Sequence, residues 1–331
     1  MGNFRNLLVH LYDSVCNRRP LGACTLLRYA IFLATIAFPA QAIANQWDEA
    51  IAKAEKRAQN YHDRATALGF PVHAGTMFNE LDVSVHACSI LGRLLKRESL
   101  IKHLEQKYPN QSKDGSDFRY AAISLDNWAL TARRLLKLDE PRRIEAWNLD
   151  CVGQHGIPAG AQIVSRRSTA FFDRDGNVLR ILGDVNGGFA EKLRIALKAN
   201  RGVDTVALGS GGGSVLEAVS AGRIIRANGL ETTLWNNCYS ACSLVFLGGT
   251  RRTIWSPYPK LGFHKMSTNG VAIPANHPAY AGVAKYAGEM GVEWSVLIKA
   301  MLSAEPSSMK YLSHDEMCAS RITTWIQRSC F

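Results

Sequence analysis

Three short stretches carry residue types that could perform nucleophilic chemistry. Leu208-Gly209-Ser210-Gly211-Gly212-Gly213-Ser214-Val215 sets a glycine cluster between an apolar strand and a helix. Backbone N–H groups left free at a helix start suit a phosphate or an oxyanion. The stretch lacks the spacing of a dinucleotide fingerprint and the Gly-Lys-Ser/Thr ending of a P-loop. The second stretch, Asn237-Cys238-Tyr239-Ser240-Ala241-Cys242, puts a serine directly before the apolar run Ser243–Gly248. The third, Leu261-Gly262-Phe263-His264-Lys265, ends a short apolar stretch in a histidine. Taken singly, these are a tight turn, a helix N-cap and a core histidine. Together they supply a nucleophile, a base and backbone donors for a developing negative charge.

The elements that must position them alternate in type. Gln162–Val164 and Thr169–Phe172 are strand candidates, and Asp173–Asn177 is a candidate hairpin turn. Val178–Leu182, Thr205–Leu208 and Thr232–Leu234 follow as strands, separated by helices over Phe189–Ala199 and Val215–Asn228. Ser240–Leu247 opens a further apolar helix. Strand–helix alternation of this kind predicts an α/β fold with parallel strands and right-handed crossovers. Upstream the texture is helical. Trp47–Leu68 is amphipathic and ends at Gly69 and Pro71; Leu81, Val85, Cys88, Leu91 and Leu95 recur at helical spacing, as do Ala121, Leu125, Trp128, Ala132 and Leu135. The breakers of Tyr108–Gly115 separate two of these helices, and no chemistry is visible among them.

Residues 1–44 read as a signal peptide or an N-terminal membrane anchor. Tyr29–Phe38 has the length of a signal-peptide core, Pro39 breaks it, and Ala40-Gln41-Ala42 and Ala42-Ile43-Ala44 fit small-residue cleavage sites. Uncleaved, the run from Leu21 is long enough to cross a bilayer. Both readings export the rest of the chain, to the periplasm or to the outer face of an inner membrane. Export makes disulfides the expected state of the six later cysteines. Cys88–Cys151 and Cys318–Cys330 are the pairs their chain positions suggest; Cys238 and Cys242 are either small packed residues or a third pair. No Cys-x-x-Cys pair or His-Glu-x-x-His helix is present, so neither a metal nor another cofactor is expected. The chain of 331 residues is basic, with a formal charge of +11. Its densest basic pairs, such as Arg133-Arg134 and Arg251-Arg252, lack interleaved aromatics, so no nucleic-acid partner is expected.

The order and context of the three stretches resemble the Clp protease proteolytic-subunit family. That family has a Ser-Pro-Gly-Gly-Ser-Val-like loop where this chain has Ser210–Val215, and an Ala-Ser-Met-like nucleophile segment where it has Tyr239-Ser240-Ala241. A Gly-x-x-Arg element is matched by Gly249–Arg252, and a Met-Ile-His-like strand by Gly262-Phe263-His264. Val178–Gly188 is similar to the opening strand and turn, and Tyr311–Glu316 to a late Leu-Ser-Ala-x-Glu-Ala element. The resemblance implies a Clp-protease-like α/β domain over 160–331, built as a crotonase-like repeated β-β-α superhelix; the helical periodicity upstream sets a separate helical region over 45–150 before it. The resemblance further implies a serine peptidase of peptide or protein substrates that forms a homo-oligomer. Ser240 would be the nucleophile, His264 the base, and the N–H groups of Gly212 and Ala241 the oxyanion hole. The family acid should fall near Met309, where this sequence has Ser307, Ser308 and Met309, with Glu305, Asp315 and Glu316 close by. A serine hydroxyl or a backbone carbonyl would then have to orient His264, or Lys265 or Lys260 would form a serine–lysine dyad. The missing acid also leaves open a catalytically weak binding or assembly module, and the shared oxyanion loop a crotonase-type acyl-CoA enzyme.

Overall fold

The computed structural model describes residues 46–71, 80–163, 170–255, 258–327 and 329–330. The leader expectation, residues 1–44, lies outside them, as do Val164 and Thr169 of the first two strand candidates. The chain divides into two compact units, Met1–Arg57 and Ala58–Phe331. The described part of the first, residues 46–57, is helical.

In the second unit the helical turns up to residue 67 are followed by helices α1 (Glu80–Leu94), α2 (Gly115–Leu136) and α3 (Glu140–Asp150). Each of the last two starts at an aspartate whose side chain accepts a backbone N–H of the first turn, Asp114 from Ser116 and Asp139 from Arg142. Their apolar stripes meet in a core containing Cys88, Leu91, Ala121, Ala132, Leu135 and Trp147, all fully buried. Of the expected stripes, Cys88, Leu91, Ala121, Leu125, Ala132 and Leu135 are buried, while Val85, Leu95 and Trp128 are half-buried. The Cys88–Cys151 disulfide ties α1 to the end of α3.

The rest is a mixed α/β unit. Its five-stranded sheet contains β1 (Phe171–Asp175), β2 (Val178–Leu182), β3 (Thr205–Ser210), β4 (Glu231–Tyr239) and β6 (Leu261–Gly262), in that spatial order. A two-residue strand β5 (Thr253–Ile254) pairs instead with β9 (Trp325–Ile326). Strands β2, β3, β4 and β6 are parallel, while β1 is antiparallel to β2 at the edge. Helices α4 (Phe189–Ala199) and α5 (Val215–Ala227) are the crossovers between β2 and β3 and between β3 and β4. Val206, Ala207 and Leu208 are all buried, as expected for an inner parallel strand covered on both faces. Helix α6 (Ala241–Leu247) is buried at every position and fills the centre of this core. The remaining helices are α7 (Pro278–Glu289), α8 (Trp294–Leu302) and α9 (His314–Ala319), and a hairpin pairs β7 (Ser267–Thr268) with β8 (Val271–Ala272).

Three expectations need correction. Gln162 and Ile163 are not in a strand: the Asn148 side-chain amide takes both the N–H and the carbonyl of Ile163, leaving no ladder bond to make. Asp173–Asp175 are not in the turn but extend β1, with Asp175 opposite Val178, so the hairpin loop is only Gly176-Asn177. Strand β4 is longer than Thr232–Leu234, because Asn236 and Asn237 are held inside it by a bulge. There Leu208 faces Leu234, yet Ser210 faces Cys238. A Cβ on Gly209 would come within 2.7 Å of the Asn236 Cβ, so the bulge requires glycine opposite it.

Candidate active site

Ser240 sits where β4 turns into α6, at φ 56° and ψ −125°. A non-glycine residue in that region costs on the order of 1–3 kcal/mol and persists only where its surroundings over-determine it. Here the Ser240 N–H donates to the Gly262 carbonyl (3.0 Å) and its carbonyl accepts the Ser243 N–H (3.0 Å). The Ser243 hydroxyl donates to Gly262 (2.8 Å) and Cys238 (3.2 Å) carbonyls. A disulfide joins Cys238 to Cys242, two residues to either side of the serine. The Ser240 hydroxyl makes no N-cap bond to α6. It faces a cavity of about 400 Å³, and a serine on a sharp strand-to-helix turn is the geometry of an exposed nucleophile.

The glycine loop forms one wall. Val185 N–H donates to the Gly212 carbonyl (2.8 Å), and Ser214 N–H donates to the Val185 carbonyl (2.7 Å). This parallel bridge turns the Gly213 N–H away from Val185. A Cβ on Gly213 would lie 2.5 Å from the Val185 oxygen, and one on Gly212 would lie 2.6 Å from the Ser240 Cβ. Both glycines are therefore required by close approach. Their amides differ: the Gly212 N–H donates to the Ser210 hydroxyl (3.1 Å), while Gly213 lines the cavity with a free N–H among the described residues. The Gly212 N–H, expected in the oxyanion hole, is thus engaged by the Ser210 hydroxyl in this structure. Ala241 also lines the cavity, and as the first residue of α6 its N–H has no partner within the helix.

His264 lines the same cavity, just beyond β6. Its Nδ1 lies 2.6 Å from the Lys265 carbonyl. A carbonyl only accepts, so Nδ1 carries a proton, and in the neutral imidazole this leaves the lone pair on Nε2, where a general base needs it. The carbonyl thus fixes the orientation of the imidazole. The segment near Met309 does run beside His264, since Phe263 and Lys310 exchange backbone hydrogen bonds of 3.0 and 2.7 Å. Glu305 is committed to the Lys265 ammonium, and Glu316 caps α9 through Ser313. That ion pair also removes Lys265 from the serine–lysine alternative, while the Lys260 ammonium lies over the Tyr311 ring, 5.4 Å from its centroid. Ser240 and His264 face one cavity, yet no hydrogen bond joins them in this structure. In many enzymes this bond tightens only with substrate bound.

Further contacts escaped the sequence reading. Met266, Ile273 and Met301 add an apolar wall to the cavity, and His277 stands beside them. Asp150 is fully buried and accepts from Asn236 Nδ2, from the Asn237 N–H (3.1 Å) and from the Tyr258 hydroxyl (2.7 Å). Burial raises its carboxyl above the ordinary range despite those donors. This network fixes the bulge that leads into Ser240. Arg252, of the Gly-x-x-Arg element, is structural: it donates to the carbonyls of Gly249, Arg321 and Ile322, and burial lowers its guanidinium to about 10. In the helical part the Ser84 hydroxyl lies 2.6 Å from His155 Nε2. Seventy-one positions separate the two, so no local motif signals the pair.

The chain matches no family model and no curated relative. Among solved structures it is similar to a ClpP1 mutant from Listeria monocytogenes, over 46% of this chain and 92% of that one, at 17% identity and a TM-score of 0.35. The fold is mixed α/β, three disulfides link described cysteines, and no described helix is long and apolar enough to cross a membrane.

Proposed function

We propose that this protein is an exported serine hydrolase, a peptidase, with Ser240 as nucleophile and His264 as general base. One observation carries the reading: a serine held at φ 56° on a strand-to-helix turn opens onto a cavity that a tautomer-fixed imidazole also lines. In the reaction, Ser240 Oγ bonds to the scissile carbonyl carbon and its proton passes to His264 Nε2. The carbonyl oxygen takes the negative charge between the N–H groups of Gly213 and Ala241. Collapse breaks the C–N bond, and the leaving amine takes the proton from Nε2. Water then attacks the ester by the same route, its proton going to Nε2 and on to Ser240. Losing one oxyanion donor typically costs about 10²–10³ in rate. The Lys265 carbonyl sets the correct tautomer but cannot balance the imidazolium charge as a carboxylate would, so a slower enzyme than a full triad is expected.

The finer architecture belongs to this proposal: a crotonase-like superhelix over 160–331, a helical module over 45–150, and a leader over 1–44 that exports or anchors the chain. Peptides or proteins are the substrates, and the protein assembles with copies of itself. The missing acid and the unjoined Ser240 and His264 favour one second reading, a catalytically weak binding module. Ser84 is a weaker nucleophile candidate than Ser240, because it lies inside α1, where the backbone amides are spent on the helix. A fluorophosphonate probe applied to the full chain separates these. Labelling that Ser240→Ala abolishes and Ser84→Ala leaves intact supports the hydrolase; an unlabelled wild type refutes it.

A further inference from the structure

We infer that the Cys238–Cys242 disulfide is a positioning brace that holds the nucleophile in its strained conformation, an inference that rests on Ser240 being the reactive serine. The elbow at Ser240 is held by its backbone bonds to Gly262 and Ser243 but has no side-chain cap. Helix α6 has seven residues and no side-chain N-cap, because the residue in the cap position is the serine whose hydroxyl faces the cavity. A helix of that length does not hold itself. The end of β4 is thinly paired as well. Beyond the bulge, among the described residues, Ser210↔Cys238 is its one register pair with β3, and Cys238↔Leu261 and Tyr239↔Gly262 are its pairs with β6, followed by the Ser240 N–H to Gly262 bond.

Within that frame, the turn must keep Ser240 at a positive φ that the chain would otherwise leave. The disulfide closes the turn from both sides, fixing the Cα atoms of Cys238 and Cys242 5.3 Å apart with Ser240 midway between them. It thereby couples the last rungs of the strand to the first turn of the helix, the two halves that meet at the nucleophile. Its sulfurs belong to residues with 0% and 1% exposure. Such a bond is sheltered from thiols in solution, which suits a permanent brace and not a redox sensor. The other two disulfides differ in kind: 63 and 12 residues separate their cysteines, and neither lies within the elbow.

A brace and a mere staple make different predictions. The Cys238→Ala/Cys242→Ala variant is compared with Cys318→Ala/Cys330→Ala and with the wild type, all as full chains. Hydrogen exchange of the peptide covering residues 239–247 is read first, because it does not depend on catalysis. A brace predicts exchange at least about tenfold faster there in the first variant, with β2 and β3 unchanged, and no such change in the second. A Cys238→Ala/Cys242→Val pair, which refills part of the lost volume, must behave as the first variant does. On a peptide substrate kcat falls about ten- to a hundredfold with KM nearly constant, as for displacement of the reacting atom alone. Unchanged exchange across 239–247 in both braceless variants overturns the inference. Faster exchange there together with an unreactive wild-type Ser240 leaves the brace standing and removes the hydrolase reading instead.

Discussion

Gly212→Ala isolates the contact on which the site geometry depends. The new Cβ would stand 2.6 Å from the Ser240 Cβ, 3.0 Å from the Tyr239 carbonyl and 3.1 Å from the Ser240 Oγ. Ordinary carbon contact begins near 3.5 Å, so the loop and the serine must separate by about 0.9 Å. Neither side yields freely. The Gly212 carbonyl is bonded to Val185, and Ser240 is pinned through Gly262 and the flanking disulfide. A non-glycine φ of 111° adds strain of about 1–3 kcal/mol, and overpacking a further ~1–3 kcal/mol, so a loss of roughly 2–6 kcal/mol in unfolding free energy is expected. Displacement of a reacting atom by about 1 Å costs about 10²-fold in rate. Gly229→Ala is the control: its φ is 68° and nothing lies within 4 Å of the new Cβ, so it carries only the backbone strain of about 1–2 kcal/mol. Urea midpoints and second-order rates of fluorophosphonate labelling should show both variants destabilised and Gly212→Ala alone slow to label. A folded Gly212→Ala protein that labels at the wild-type rate would refute the close approach of loop and nucleophile.

Three other outcomes follow. Burial holds the His86 and His155 imidazoles below their ordinary range, helped at His155 by the positive neighbours Lys260 and His103. The unfolded chain binds those protons near pH 6.5 and the folded chain does not, so stability is fully present above about pH 6.5 and is lost as pH falls toward the folded values; urea midpoints in a pH series should show that decline, and His86→Gln should flatten it. Lys265→Ala breaks a partly exposed ion pair with Glu305, so stability should change by less than about 1 kcal/mol and Ser240 labelling should persist, whereas loss of labelling in a folded variant would restore the serine–lysine alternative. Cys88 and Cys151 enclose a loop of 63 residues, so removing both should cost about 4 kcal/mol on the chain-entropy relation, against about 2 kcal/mol for Cys238–Cys242; equal losses in chemical denaturation would contradict that ordering.

Much of the frame was legible where local chemistry and tertiary demand agree. Val178–Leu182 and Thr205–Leu208 are apolar runs closed by glycine, and Ser240–Leu247 is apolar around its whole circumference, as a central helix must be. Elsewhere partners far along the chain decide. Asp173-Arg174-Asp175 reads as turn, yet as an edge strand it tolerates charge because one side meets solvent. Asn236 and Asn237 are poor strand formers that β4 accommodates because Asp150, 86 and 87 positions away, takes their hydrogen bonds. The distinction between Gly212 and Gly213 depends on which amide Ser210 engages and on the bridge to Val185, neither of which spacing reveals. The Lys265 carbonyl beside His264 is a backbone group and has no side-chain signature at all.

The central claim is that one hydroxyl, one imidazole and two amides surround a single reacting centre. A crystal structure of the phosphonylated protein tests it most directly. The account predicts phosphorus bonded to Ser240 Oγ, a phosphonyl oxygen receiving the N–H groups of Gly213 and Ala241 at about 2.7–3.1 Å, and His264 Nε2 on the opposite side of the adduct. An adduct on Ser84, or one on Ser240 whose oxygens face solvent with both amides unused, would contradict it.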